Sequence, residues 1–121
     1  MGKKNVLGGS LEVCSLEPIT GYFRDGLCDQ CQSDSGQHTV CVEVNDVFLS
    51  YSKEKGNDLV TPRAEFNFPG LVAGDHWCLC ASRWLEASED GCAPPVILNA
   101  THEGALEIIT MADLEYHQLQ K

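Results

Sequence analysis

Seven cysteines and four histidines in a chain of 121 residues are the side chains best equipped for chemistry. Cys28, Cys31, His38 and Cys41 fall within fourteen residues, separated by two, six and two others. Four soft ligands in a loop that leads into a strand could close a tetrahedral zinc site. The Cys-x-x-Cys pair could instead be a redox dithiol. A thioredoxin-type motif, however, sits between a strand and the helix it opens, and here the flanks are turns. The plain alternative is scattered reduced thiols, with His38 at the mouth of a strand.

A second cluster is His76-Trp77-Cys78-Leu79-Cys80. Along a strand, Cys78 and Cys80 share one face. Unpaired cysteine is among the most buried residue types, so two core thiols are the structural reading. The chemical reading makes Cys78, or Cys41 on the earlier strand, a nucleophile with His102 as its base, held in the turn Thr101-His102-Glu103. A third group runs from Gly56-Asn57-Asp58-Leu59 to Thr61-Pro62-Arg63. Asn57 and Asp58 beside a glycine are ordinary helix-exit chemistry. Arg63 is one of few cations and would either clamp a carboxylate or phosphate or enter an internal ion pair. Asn57, Asp58, Arg63 and Cys80 are thus the candidate pocket residues, and Cys41, Cys78 and His102 the candidate catalytic ones. The sequence has no Gly-rich phosphate loop, Gly-x-Ser-x-Gly elbow or His-Glu-x-x-His.

The elements that must position these groups can be read from pattern. Residues 1–10 are polar and Gly-rich and are expected to form a flexible arm ahead of a single domain over 11–121. Residues 14–37 are turn chemistry throughout. Val40, Val42 and Val44 alternate with Cys41 and Glu43, which predicts a half-buried strand over 39–44. Asn45 then caps a helix over about 46–55, with Val44 and Leu49 placed as a hydrophobic staple and Gly56 as the stop. Residues 56–76 have no period, yet carry Leu59, Phe66, Phe68 and Leu71, so they are expected to pack as an ordered loop. Residues 77–80 alternate like a short strand, and a helix follows over about 81–90 before Gly91 and Pro94-Pro95. Val96-Ile97-Leu98 and Leu106-Glu107-Ile108-Ile109 read as an antiparallel pair of strands. Thr110 and Asp113 resemble a capping box that opens a last helix to about His117. The sum is a small α+β domain: a mostly antiparallel sheet, about three helices on one face and two long ordered loops.

Charge narrows the partners. Lys and Arg number 8 against 18 Asp and Glu, for a net charge of −10. Between Ala64 and Gln120 the single cation is Arg83. Nucleic acid would find no basic footprint here, and an anionic membrane would repel the chain. A basic protein partner remains compatible with the acidic half. The odd cysteine count and the absence of an apolar leader or membrane-length run lead to the expectation of a cytoplasmic chain with reduced thiols.

Several blocks match a known pattern. They include Cys14-Ser15, Thr20-Gly21-Tyr22-Phe23-Arg24-Asp25-Gly26, His38-Thr39-Val40-Cys41, Gly56-Asn57-Asp58-Leu59, Thr61-Pro62-Arg63, Phe68-Pro69-Gly70-Leu71, Trp77-Cys78-Leu79-Cys80-Ala81, Ala93-Pro94-Pro95-Val96 and Ala100-Thr101-His102. Together, from about residue 5 to 115, they resemble the uncharacterised family called domain of unknown function 2237. The resemblance implies a small, soluble, stand-alone protein and brings no activity, cofactor or catalytic residue. After Cys28 the family pattern has Thr-Gly-Pro where this chain has Gln30, Cys31 and Gln32, so Cys31 and Cys92 look particular to this chain. Three functions follow: a small-molecule-binding protein or small enzyme with a loop-walled Cys/His pocket, an acidic interaction module, or a zinc module through Cys28, Cys31, His38 and Cys41.

Overall fold

The alternating valines after His38 form strand β1, Val40–Glu43, in a computed structural model that describes residues 3–30, 37–66 and 68–119. Strand β2, His76–Leu79, pairs with it antiparallel, matching Val40 with Leu79, Cys41 with Cys78, Val42 with Trp77 and Glu43 with His76. Helix α1, Asp46–Glu54, begins where the Asn45 side chain accepts the Phe48 N–H. That cap satisfies one of the amides a helix start leaves unpaired. Helix α2, Ala81–Glu89, follows β2 directly. Helix α3, Met111–Tyr116, starts at Thr110, whose hydroxyl accepts the Asp113 N–H. The fold is therefore α+β, with an antiparallel two-stranded sheet and three α-helices among the described residues.

Trp84 of α2, Phe48 of α1, Leu114 of α3 and Leu79, Val40 and Val42 of the ribbon are all fully buried in one apolar core. Each such side chain contributes roughly 1.5–3 kcal/mol when taken out of water. The Trp84 indole N–H donates to the Pro94 carbonyl at 3.1 Å, so its burial leaves no orphan donor. A two-stranded ribbon alone has two open edges, which invite pairing with other chains. Segment 95–102 covers the outer edge of β1: Glu43 N–H reaches Pro95 O, Ile97 N–H reaches Cys41 O, and Cys41 N–H reaches the Thr101 hydroxyl. On β2 the Cys78 N–H is taken by the buried Thr20 hydroxyl at 2.9 Å.

Three expectations are corrected. Residues 96–98 and 106–109 do not pair as strands. Val96 makes single bridges to Val42 and Gln118, and short 3-10 helices occupy Leu98–Ala100 and Glu103–Glu107. Pro94 and Pro95 lack N–H donors, and the Thr101 hydroxyl donates to Ile97 O while accepting from Cys41, so side-chain bonds replace a ladder. Residues 3–10, expected within a flexible arm over 1–10, pack against the domain. Asn5 is buried, its amide donates to Ser10 O and Asn99 O, its carbonyl accepts from Leu7 and Gly9, and Val6 N–H reaches Thr101 O. Nor are the thiols all reduced. Cys14 is bonded to Cys41 and Cys28 to Cys78, so two disulfides tie residues 14–28 to the sheet.

Candidate functional site

At the end of β2 the chain runs Trp77-Cys78-Leu79-Cys80 into α2, and this corner is the floor of a cavity of about 420 Å³. One wall comes from residues 21–24, the other from residues 57–68. Arg24, His38, Arg63, Phe68, Trp77 and Cys80 bring the chemistry to its lining. A volume of this size suits a small molecule.

Each wall is built around a glycine. Gly21 sits at φ +96, and a Cβ there would lie 2.3 Å from the Leu27 carbonyl oxygen. Gly70 sits at φ +81, with a Cβ 2.2 Å from the Val60 oxygen. No side chain can replace hydrogen in either place without moving backbone. Arg24 itself takes φ 55, a left-handed conformation uncommon for any residue with a Cβ. Its guanidinium donates to Gly21 O at 3.1 Å and lies 5.3 Å from the centre of the Trp77 ring, a cation–π arrangement. Phe68 packs on the same indole, with ring centres 5.3 Å apart. Arg63 and Phe68 exchange backbone hydrogen bonds of 2.8 and 3.0 Å across the turn between them, which places both on the far wall.

The electrostatics are unusual for so acidic a chain. Two of its three arginines line this one cavity. Among the described residues neither has a carboxylate within ion-pair distance. Of the two roles open to Arg63, the internal ion pair is not seen among the described residues. Cys80 is a free, half-buried thiol at the N-terminus of α2, with Sγ 3.2 Å from the Ser82 hydroxyl. A helix start offers unpaired N–H groups and the positive end of its dipole, which favours an anion nearby.

The structure gathers Asn57, Arg63 and Cys80, with His38 and Cys78, at this cavity. Asp58 lies outside it. Its carboxylate accepts from Val60 N, Thr61 N and the Thr61 hydroxyl, closing a turn instead. The Thr61 hydroxyl first, then the two backbone amides and Lys53, lower its pKa to about 2. The catalytic candidates fare differently. Cys41 and Cys78 are both in disulfides and offer no thiolate for attack. His102 is buried away from the cavity and cannot serve Cys78 as a base. Its Nδ1 accepts the Gly104 N–H at 2.9 Å and its Nε2 lies 3.8 Å from Asp29, which also pairs with Lys3 at 3.4 Å. This is a cap and an internal tie. Of the zinc set expected from spacing, Cys28 and Cys41 are disulfide-bonded and His38 lines the cavity, while Cys31 lies outside the described residues.

Sequence reasoning overlooked Arg24, Phe68 and Trp77 as site residues. The argument used for Arg63, a scarce cation in an acidic chain, applies equally to Arg24. The Trp77 signal was obscured because strand parity places it opposite Cys78, whereas both border the cavity.

Fold and cavity together define a small α+β domain with a loop-walled, arginine-lined pocket. Residues 4–118 match the family described as "Uncharacterized protein conserved in bacteria (DUF2237)", and the chain belongs to that family. The curated proteins contain no match to this sequence. Among the described residues no helix is long and apolar enough to cross a membrane.

Proposed function

We propose that this protein binds a small anionic molecule with a flat apolar body in the cavity between residues 21–24 and 57–68. One observation carries the reading: Arg24 and Arg63 line a single cavity without a carboxylate partner among the described residues, in a chain of net charge −10. Guanidinium groups bind carboxylates and phosphates through charge-assisted pairs of hydrogen bonds. Trp77 and Phe68 supply the apolar surface for the rest of the ligand. Cys80 is the thiol that meets the bound molecule, so covalent thiol chemistry on it is available to this site.

Benzoate is the simplest probe with both features. Titrated into ¹⁵N-labelled protein, it should saturably shift the Trp77 indole signal and the side-chain N–H signals of Arg24 and Arg63. Arg24→Gln and Arg63→Gln should each weaken binding about tenfold, the loss expected for one charge-assisted hydrogen bond. Shifts mapping elsewhere, no saturation, or wild-type affinity in both variants would defeat the proposal.

A further inference from the structure

The sulfur cluster under the sheet is separate from the anion pocket in its chemistry and has its own geometry. Cys41 and Cys78 stand directly opposite each other on β1 and β2. Both of their N–H groups point away from the ribbon, to the Thr101 and Thr20 hydroxyls. They are therefore a non-hydrogen-bonded pair, the position where facing side chains approach most closely. They are not bonded to each other, however. Each takes its partner from the 14–28 segment, Cys41 from Cys14 and Cys78 from Cys28. The sulfurs of Cys14, Cys28 and Cys78 all lie within 4.8 Å of one another, and Cys41 is bonded to the first of them. All four cysteines are buried, with Ala100 and Ile97 packed against them.

A zinc tetrathiolate needs four sulfurs about 2.3 Å from one point, hence about 3.8 Å from each other. Three of the four sulfurs already lie within 4.8 Å of one another, and the fourth, on Cys41, hangs from Cys14 by its disulfide. Breaking both disulfides lets each bonded pair move apart toward that spacing while the backbone keeps all four sulfurs in one dry hollow. We infer that, once both disulfides are reduced, Cys14, Cys28, Cys41 and Cys78 bind one zinc ion, so that the same four sulfurs hold the 14–28 segment to the sheet covalently or through a metal. The balance is simple. A dithiol reductant gives two electrons and two protons to each S–S bond and becomes a disulfide itself. Two such events yield four thiols, and zinc displaces their four protons on binding. This set differs from the sequence-based one in replacing Cys31 and His38 by Cys14 and Cys78, a pairing visible only once the register of β1 and β2 is known.

The test uses full-length protein, reduced with a trialkylphosphine without oxygen and titrated with cobalt(II). One equivalent should enter, giving thiolate-to-cobalt charge transfer and the visible bands of a tetrahedral ion, both removed by zinc. A Cys31→Ser, Cys80→Ser, Cys92→Ser variant should take up cobalt alike, and Cys14→Ser should lose the spectrum. Cys41→His keeps a ligand in place and should retain a tetrahedral spectrum with weaker charge transfer. Should the reduced metal-free chain lose its helical circular dichroism, zinc is expected to restore it. Reduced wild-type protein without a tetrahedral cobalt spectrum overturns the inference. So does a spectrum that survives Cys14→Ser and vanishes in the triple variant.

Discussion

The two walls of the cavity are both loops, yet they are held by different forces. In the segment that carries the first, residues 13–28, Val13, Leu16 and Phe23 are each more than half exposed, and Tyr22 is 43% exposed. Its apolar side chains face water and cannot anchor it. Two disulfides do so instead, closing spans of 27 and 50 residues. In the second wall Leu71 is 1% exposed and Leu59 9%, both within the main core. The Leu71 N–H donates to Leu59 O at 2.8 Å, so the two ends of that loop are pinned together where they enter the core. A loop that buries its own leucines needs no covalent tie, and a loop that exposes them does.

This contrast can be broken at either wall. The largest effect belongs to the disulfides. Cys28→Ser, measured by urea unfolding without metal, should cost about 4 kcal/mol, the chain-entropy value for a loop of that length. Leu71→Ala comes next, at about 3 kcal/mol from lost burial and the cavity left behind. It should be felt equally in reduced and oxidised protein, whereas the Cys28→Ser loss should shrink toward zero once wild type is also reduced. Gly70→Ala should cost about 2 kcal/mol from backbone strain, with Gly56→Ala nearer to the strain of a positive φ alone, because a Cβ there meets open space.

How far these features could be read in the sequence depends on the range of the interactions that set them. The strand after His38, the helix capped by Asn45 and the helix opened by Thr110 were legible because period and cap lie within a few residues. Strands over 96–98 and 106–109 were misread because Thr101 and His102 spend their side chains on nearby backbone, a choice that apolar spacing does not record. The disulfides were illegible because each joins a turn-rich segment to a strand, Cys14 to Cys41 across 27 residues and Cys28 to Cys78 across 50, and no local pattern records such pairings. At the pocket, Arg63 and Cys80 were found by chemical type. Asp58 was misplaced because its carboxylate closes its own turn, an equally good use of the same residue.

That turn gives the smallest and most local prediction. Its folded carboxyl pKa, about 2, lies below the ordinary aspartate value of 3.8. The turn's contribution to stability is therefore complete above pH 3.8 and lost as pH falls through about 2. Asp58→Asn should flatten that part of the acid-unfolding curve and leave the disulfide-held wall untouched, as amide exchange of Val60 and Thr61 would report.

The central claim, that two arginines make this cavity a trap for anions, is tested most directly by alkylating Cys80. Iodoacetate is negatively charged and iodoacetamide is neutral, and both react with the same thiolate. Cys92, whose Sγ is 3.6 Å from the Asp90 carbonyl oxygen and outside the cavity, is the internal reference. The iodoacetate-to-iodoacetamide rate ratio should be about tenfold higher at Cys80 than at Cys92 in low salt, and should fall with added salt and in Arg24→Gln and Arg63→Gln. Equal ratios at the two thiols, or a ratio at Cys80 indifferent to both arginines, would contradict it.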